Sequence, residues 1–258
     1  FFWTLSLWKE WAVANAILIG LYFAWDTFLA YPQERSSDVA MDDSRTRPLR
    51  IRGLWPNAPL LLAVIAAVAL LDPSKAIPGT DWHPWVFLRE AVLATIVAVS
   101  LALGSEKVRH DNRFTYGAIL EVAALFVGIF VCMQPALAIL DERGASLGVT
   151  SPMAFFWTTG LLSSVLDNAP TYLVFFKTAQ TLPAGAEMVA GVEVGRLTGV
   201  SLGAVFLGAM TYIGNGPNFM VKAIAEKAGV RMPTFFGYLA YSGGVLMPVF
   251  LLVSYLFL

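Results

Sequence analysis

The sequence predicts an all-α polytopic membrane protein, and three observations carry that prediction. Apolar residues fill 57% of the 258 positions and charged residues only 14%, against about 25% charged in soluble domains. The charges are also clustered: residues 31–52 hold nine of them, while 144–166, 197–221 and 232–258 hold none. Those three runs, of 23, 25 and 27 residues, exceed the ~20 apolar residues that cross a bilayer. The pattern excludes an ordinary cytosolic enzyme and a disordered chain. A net charge of −1 leaves no strong field to attract nucleic acid. No cofactor is expected. Cys132 is the single cysteine, so no intrachain disulfide is possible. His83 and His110 lie far from it in sequence, without metal-ligand spacing.

Six spans follow in order, at about 11–29, 54–71, 85–103, 117–140, 197–213 and 233–258. Trp8, Trp11, Trp55, Trp85 and Tyr116 stand near their ends, as interfacial anchors do. The polar connection 31–53 reads as a variable cytoplasmic tether. Asp26, Arg89 and Glu90 sit near span ends, where long charged side chains snorkel to the interface. Sequence neighbours project from different helix faces, so Arg89 and Glu90 are not expected to pair with each other.

Residues 152–182 are harder to place. They form either one span kinked at Pro170 or a re-entrant hairpin with arms 152–166 and 171–182. Helical arms of that size reach only ~22 and ~18 Å, short of the ~30 Å hydrocarbon core. Leaving out Arg89, which lies within a span, basic residues divide 11 inside to 5 outside with a hairpin and 10 to 6 with a straight span. The positive-inside rule favours the hairpin. The resulting organisation is scaffold-type helices over 1–150, a transport-type region over 151–232 with hairpin and broken helix, and a closing span over 233–258.

Two stretches repeat one pattern. Asn168-Ala169-Pro170-Thr171-Tyr172-Leu173-Val174 aligns with Asn215-Gly216-Pro217-Asn218-Phe219-Met220-Val221. Each ends one apolar stretch and begins another. Proline lacks an N–H and forces its predecessor out of the helical region, yet suits the first turn of a new helix. Gly214 and Gly216 permit an unwound turn. Unwound backbone at membrane depth survives only when buried in protein or lining a wet cavity, and transporters build midplane sites from it.

The stretches 161–171 and 211–218, read with Gly117-Ala118-Ile119-Leu120-Glu121-Val122, resemble the ion transporter superfamily. The similar branch is the one labelled sodium/proton antiporter or citrate transporter, and the resemblance runs through most of the chain. It implies two inverted repeats, each with a hairpin and an interrupted helix, in a homodimer of scaffold and transport domains. Only one such set is present, so the resemblance implies a missing N-terminal half. It also implies an integral protein of the bacterial inner membrane, in contact with lipid.

Asp167 is the first candidate site residue. Burial favours its protonated form, and a bound sodium ion favours the ionised one, so a single carboxyl can exchange the two. Asn168, Thr171, Asn215 and Asn218 are the candidate oxygen ligands, since sodium is a hard cation. The resemblance assigns that role to the hairpin tip and the unwound helix. Pro170, Gly214, Gly216 and Pro217 would support the breaks, and Glu121 is a possible second carboxylate. The leading expectation is sodium/proton antiport. The alternative is sodium-coupled uptake of citrate or a related anion, held in part by half-helix N-termini; no arginine stands at either break to neutralise a tricarboxylate. An intramembrane hydrolase lacks its motif. Gly195, Gly199 and Gly203 recur every four residues and predict close helix packing. Lys222 and Lys227 read as cytoplasmic retention charges.

Overall fold

Apolar stretches separated by Gly, Pro and polar turns form ten α-helices among the described residues of the computed structural model, which are 2–33, 53–111, 116–227 and 229–258. These helices are α1 (Trp8–Trp25), α2 (Leu54–Leu70), α3 (Leu88–Leu103), α4 (Glu106–Asp111), α5 (Gly117–Arg143), α6 (Pro152–Ser163), α7 (Asn168–Gln180), α8 (Val194–Leu207), α9 (Gly216–Lys227) and α10 (Phe235–Phe257). Most of the expected tether 31–53 lies outside the described residues. Two helical stretches, Trp3–Gln33 and Phe235–Phe257, are long and apolar enough to cross a membrane. Leu54–Leu70, Phe130–Leu140 and Val194–Met210 are shorter apolar helices.

The all-α expectation needs one small correction. Met188–Val189 and Val192–Glu193 pair as an antiparallel two-residue ribbon. Ala190 and Gly191, both at positive φ, make its two-residue turn. This is the geometry that matches strand twist, and Val189 and Val192 suit a pleated strand.

The chain divides into two compact units, residues 1–8 with 25–118, and residues 9–24 with 119–258. In the first, α2 packs on α3. The third expected span starts later than 85, because Phe87 adopts a left-handed conformation and α3 begins at Leu88. Arg109 on α4 donates to the carbonyls of Ser100 (2.6 Å) and Leu101 (3.3 Å), placing a cation on the C-terminal carbonyls of α3. The expectation for Arg89 and Glu90 is corrected: they pair at 2.8 Å. Both side chains are exposed in the first turn of α3, and the long guanidinium swings round to its neighbour although their Cβ atoms diverge.

In the second unit, α6 opens with Ser151 as N-cap, accepting from Ala154 N at 3.1 Å, and Pro152 in the first turn; such a cap contributes about 1 kcal/mol. Helices α6 and α7 form a hairpin. Arg196, at the start of α8, donates to Thr150 O (3.0 Å) just before α6 and to Pro183 O (2.8 Å) just after α7. One guanidinium therefore gathers both ends of the hairpin. It also pairs with Glu193 at 2.9 Å. A single span kinked at Pro170 is not formed: α7 begins at Asn168 and Pro170 lies within its first turn, where its missing N–H would be unpaired anyway.

Helix α8 runs beside α6 in the same direction. A Cβ on Gly199 would collide with Pro152 O, and one on Gly203 with Phe156 O; Gly195 faces the Pro152 ring. The glycine spacing thus lets the two backbones touch. Phe155, Phe156, Val192, Val200 and Val253 are fully buried in this core. Helix α10 is capped by Thr234, which accepts from Gly237 N at 3.2 Å. It is bound to the end of α8 by the Phe206–Phe250 stack and by Ser242, whose hydroxyl donates to Met210 O at 2.6 Å.

Candidate functional site

Parallel packing of α6 and α8 brings their C-terminal ends to one place. After α6 the chain unwinds over 164–167. After α8 it tightens into a short turn, Gly208–Met210, and extends at Thr211 before α9. Thr211 fastens the two breaks together. Its hydroxyl donates to Ser164 O, 47 residues away, and accepts from the backbone N–H of Ile213 (3.2 Å) and Gly214 (3.0 Å). Orphan donors of the unwound backbone are thereby satisfied, as buried polar groups require.

Oxygen atoms converge here. A Cβ built on Gly214 would stand 2.7 Å from both Ser163 O and Gly208 O, and 2.9 Å from Ser164 O. Only a glycine admits three carbonyls so close. Asn168, with its amide nitrogen turned to the acceptors it faces, donates to Asp167 Oδ1 (3.0 Å) and Gly214 O (3.1 Å). Asn218 donates to Gly208 O (3.3 Å) and Thr211 O (3.2 Å). Ser163 donates to Ala204 O at 2.7 Å, tying α6 to α8 beside the cluster. Asp167 is half-buried and has no ion-pair partner among the described residues.

The structure therefore brings Asp167, Asn168, Gly214 and Asn218 into one cluster. Thr171 is buried and its hydroxyl donates to Asp167 O at 2.9 Å, so its proton fixes the hairpin tip. Asn215 precedes α9, half-buried, with no side-chain hydrogen bond among the described residues. Gly216 and Pro217 form the exposed first turn of α9, as Pro170 lies in that of α7. Glu121 belongs to α5, and its side chain lies outside the described residues. Sequence reasoning missed Ser163, Ser164, Gly208 and Thr211. The only signal was hydroxyl and glycine residues at the ends of two apolar runs, and most of their contribution is backbone carbonyl, which no side-chain pattern reveals.

Chemically this is a cluster of hard oxygen donors with one carboxylate and no basic side chain among the groups described in it. It suits a small hard cation better than a soft metal. A family profile described as "Putative citrate transport" matches residues 1–258. The chain belongs to this citrate-transport family. No curated protein and no solved structure matches it. Membership makes the chain an integral membrane protein of a secondary-transport family, consistent with its apolar helices.

Proposed function

We propose that this citrate-transport family member is a cation-coupled carrier of citrate-like carboxylates, with sodium as the coupling ion. The observation that carries the reading is the meeting of the two matched breaks in one oxygen-rich cluster, in a chain whose family is described by citrate transport. Ser163, Ser164, Gly208 and Gly214 carbonyls and the Asp167 carboxylate would hold the cation, and the Asn168, Asn215 and Asn218 side chains would turn their amide oxygens towards it on binding. The bound cation would supply the positive charge that no arginine supplies at the breaks, and the N-termini of α7 and α9 would add their dipoles. The 152–182 hairpin would be re-entrant and would move with α8 and α9 against a scaffold. The chain would act in the bacterial inner membrane as one half of an inverted-repeat protein in a homodimer.

A sodium/proton antiporter is the second reading. The favouring observation is Asp167, a carboxylate with no ion-pair partner among the described residues, which can hold either ion in turn. Labelled citrate uptake into liposomes containing the protein separates the two. The carrier reading expects uptake that follows an inward sodium gradient and collapses when potassium replaces sodium. Sodium flux driven by a pH gradient without citrate would move the conclusion to antiport, and citrate uptake indifferent to sodium would remove sodium coupling.

A further inference from the structure

A cleft of about 380 Å³ opens beside the second break. Its wall includes Tyr212 and Ile213 of that break, Lys222 and Glu226 on α9, and Pro233 and Phe235 at the start of α10. The size falls within the range of small-molecule sites. Lys222 is its only lining cation among the described residues. The ammonium lies 5.5 Å from the centre of the Tyr212 ring and 2.6 Å from Glu226 Oε1. The lysine side chain is 23% exposed and the glutamate 46%, so the carboxylate is the more loosely held partner. Tyr212 itself is fixed. It is buried, it stacks on Tyr238 at 4.2 Å, and its hydroxyl donates to Pro233 O at 3.2 Å. The aromatic face therefore holds the ammonium at the cleft wall even when the carboxylate leaves.

We infer that this cleft is a binding station for the carboxylate substrate on the cytoplasmic side of the breaks, in which a substrate carboxylate displaces Glu226 from Lys222. The inference rests on the carboxylate reading given above. The exchange swaps one charge-assisted hydrogen bond for another, so it needs no new buried charge. Continuity is built in, because Tyr212 and Ile213 lead directly into Gly214, where the oxygen cluster begins. Membrane-retention charge alone would give Lys222 no reason to face a cleft or to rest on a fixed tyrosine.

The pair allows a test that a structural role would fail. Lys222→Gln and Glu226→Gln both break the ion pair, so a purely structural pair predicts that both weaken the protein in the same way. A substrate-binding station predicts opposite effects. Equilibrium binding of labelled citrate to the purified protein, in detergent free of anionic lipid, is the measurement, run alongside uptake. Lys222→Gln should weaken citrate binding about tenfold, the scale of one lost charge-assisted hydrogen bond. Glu226→Gln should tighten it, and Lys222→Arg should keep most of it. Equal changes of the same sign in the two glutamine variants, or wild-type affinity in Lys222→Gln, overturn the inference. A protein that binds citrate through Lys222 but does not transport it leaves this inference standing and removes the carrier reading. Failure of the parent protein to bind citrate overturns both.

Discussion

At the residue scale, the site depends on groups that do two things at once. Thr211 is the clearest: one hydroxyl donates to Ser164 O and receives two backbone N–H groups. Thr211→Val keeps shape but leaves those partners unpaired, at about 1–3 kcal/mol for each buried group. Thermal unfolding in detergent should show a clear loss for Thr211→Val and little for Thr211→Ser. An unchanged midpoint in the valine variant would mean the two breaks are not held together by this hydroxyl. Asp167 makes a different prediction. Asp167→Asn keeps an oxygen ligand and removes the charge, so it should fold normally, lose sodium dependence, and carry no proton-coupled flux. Sodium-dependent uptake equal to the parent would exclude the carboxylate from the site. The position of Asp167, Asn168 and Asn218 at the two breaks is legible in the sequence, because a polar residue beside a long apolar run demands an explanation. Thr211 and the carbonyls were not legible as site groups, because backbone oxygen is the same at every residue.

At the element scale, the glycine repeat and the hairpin show what spacing can and cannot tell. A four-residue glycine period announces a close helix neighbour, but the neighbour is α6, and no local pattern names it. Gly203→Ala puts a methyl group against Phe156 O and should cost about 1–3 kcal/mol, as overpacking does. Gly243→Ala is the control, since nothing lies within 4 Å of its added Cβ. Equal melting temperatures for both variants would contradict the close α6–α8 contact. Pro170 suits either a hairpin or a kinked span, and in the sequence only the count of basic residues favours the hairpin. Arg196 decides it, through partners 46 and 13 residues away. That is a tertiary fact which periodicity cannot carry. Arg89 and Glu90 fail in the other direction: Cβ geometry separates them, yet long exposed side chains reunite them.

At the scale of the whole molecule, the sequence pattern and the fold agree on one point above all. Two copies of an Asn-small-Pro break, 47 residues apart, are brought together because α6 and α8 run side by side with nearly the same offset. The first break ends α6, the second ends α8, and parallel packing makes their ends coincide. Helix content and the placement of most apolar helices were readable from composition and period. The β-ribbon, the late start of α3 and the cleft at Lys222 were not, since each depends on a turn conformation or a distant partner.

The central claim is that these breaks form one ion site. A double-mutant cycle on the sodium dependence of citrate uptake tests it most directly, using Asn168→Ala, Asn218→Ala and the pair. The account predicts that each single variant raises the half-saturating sodium concentration several-fold. It also predicts that the double variant departs from additivity by more than about 0.5 kcal/mol, as residues sharing one ligand do. Strict additivity, or an unchanged sodium requirement in all three, would contradict it.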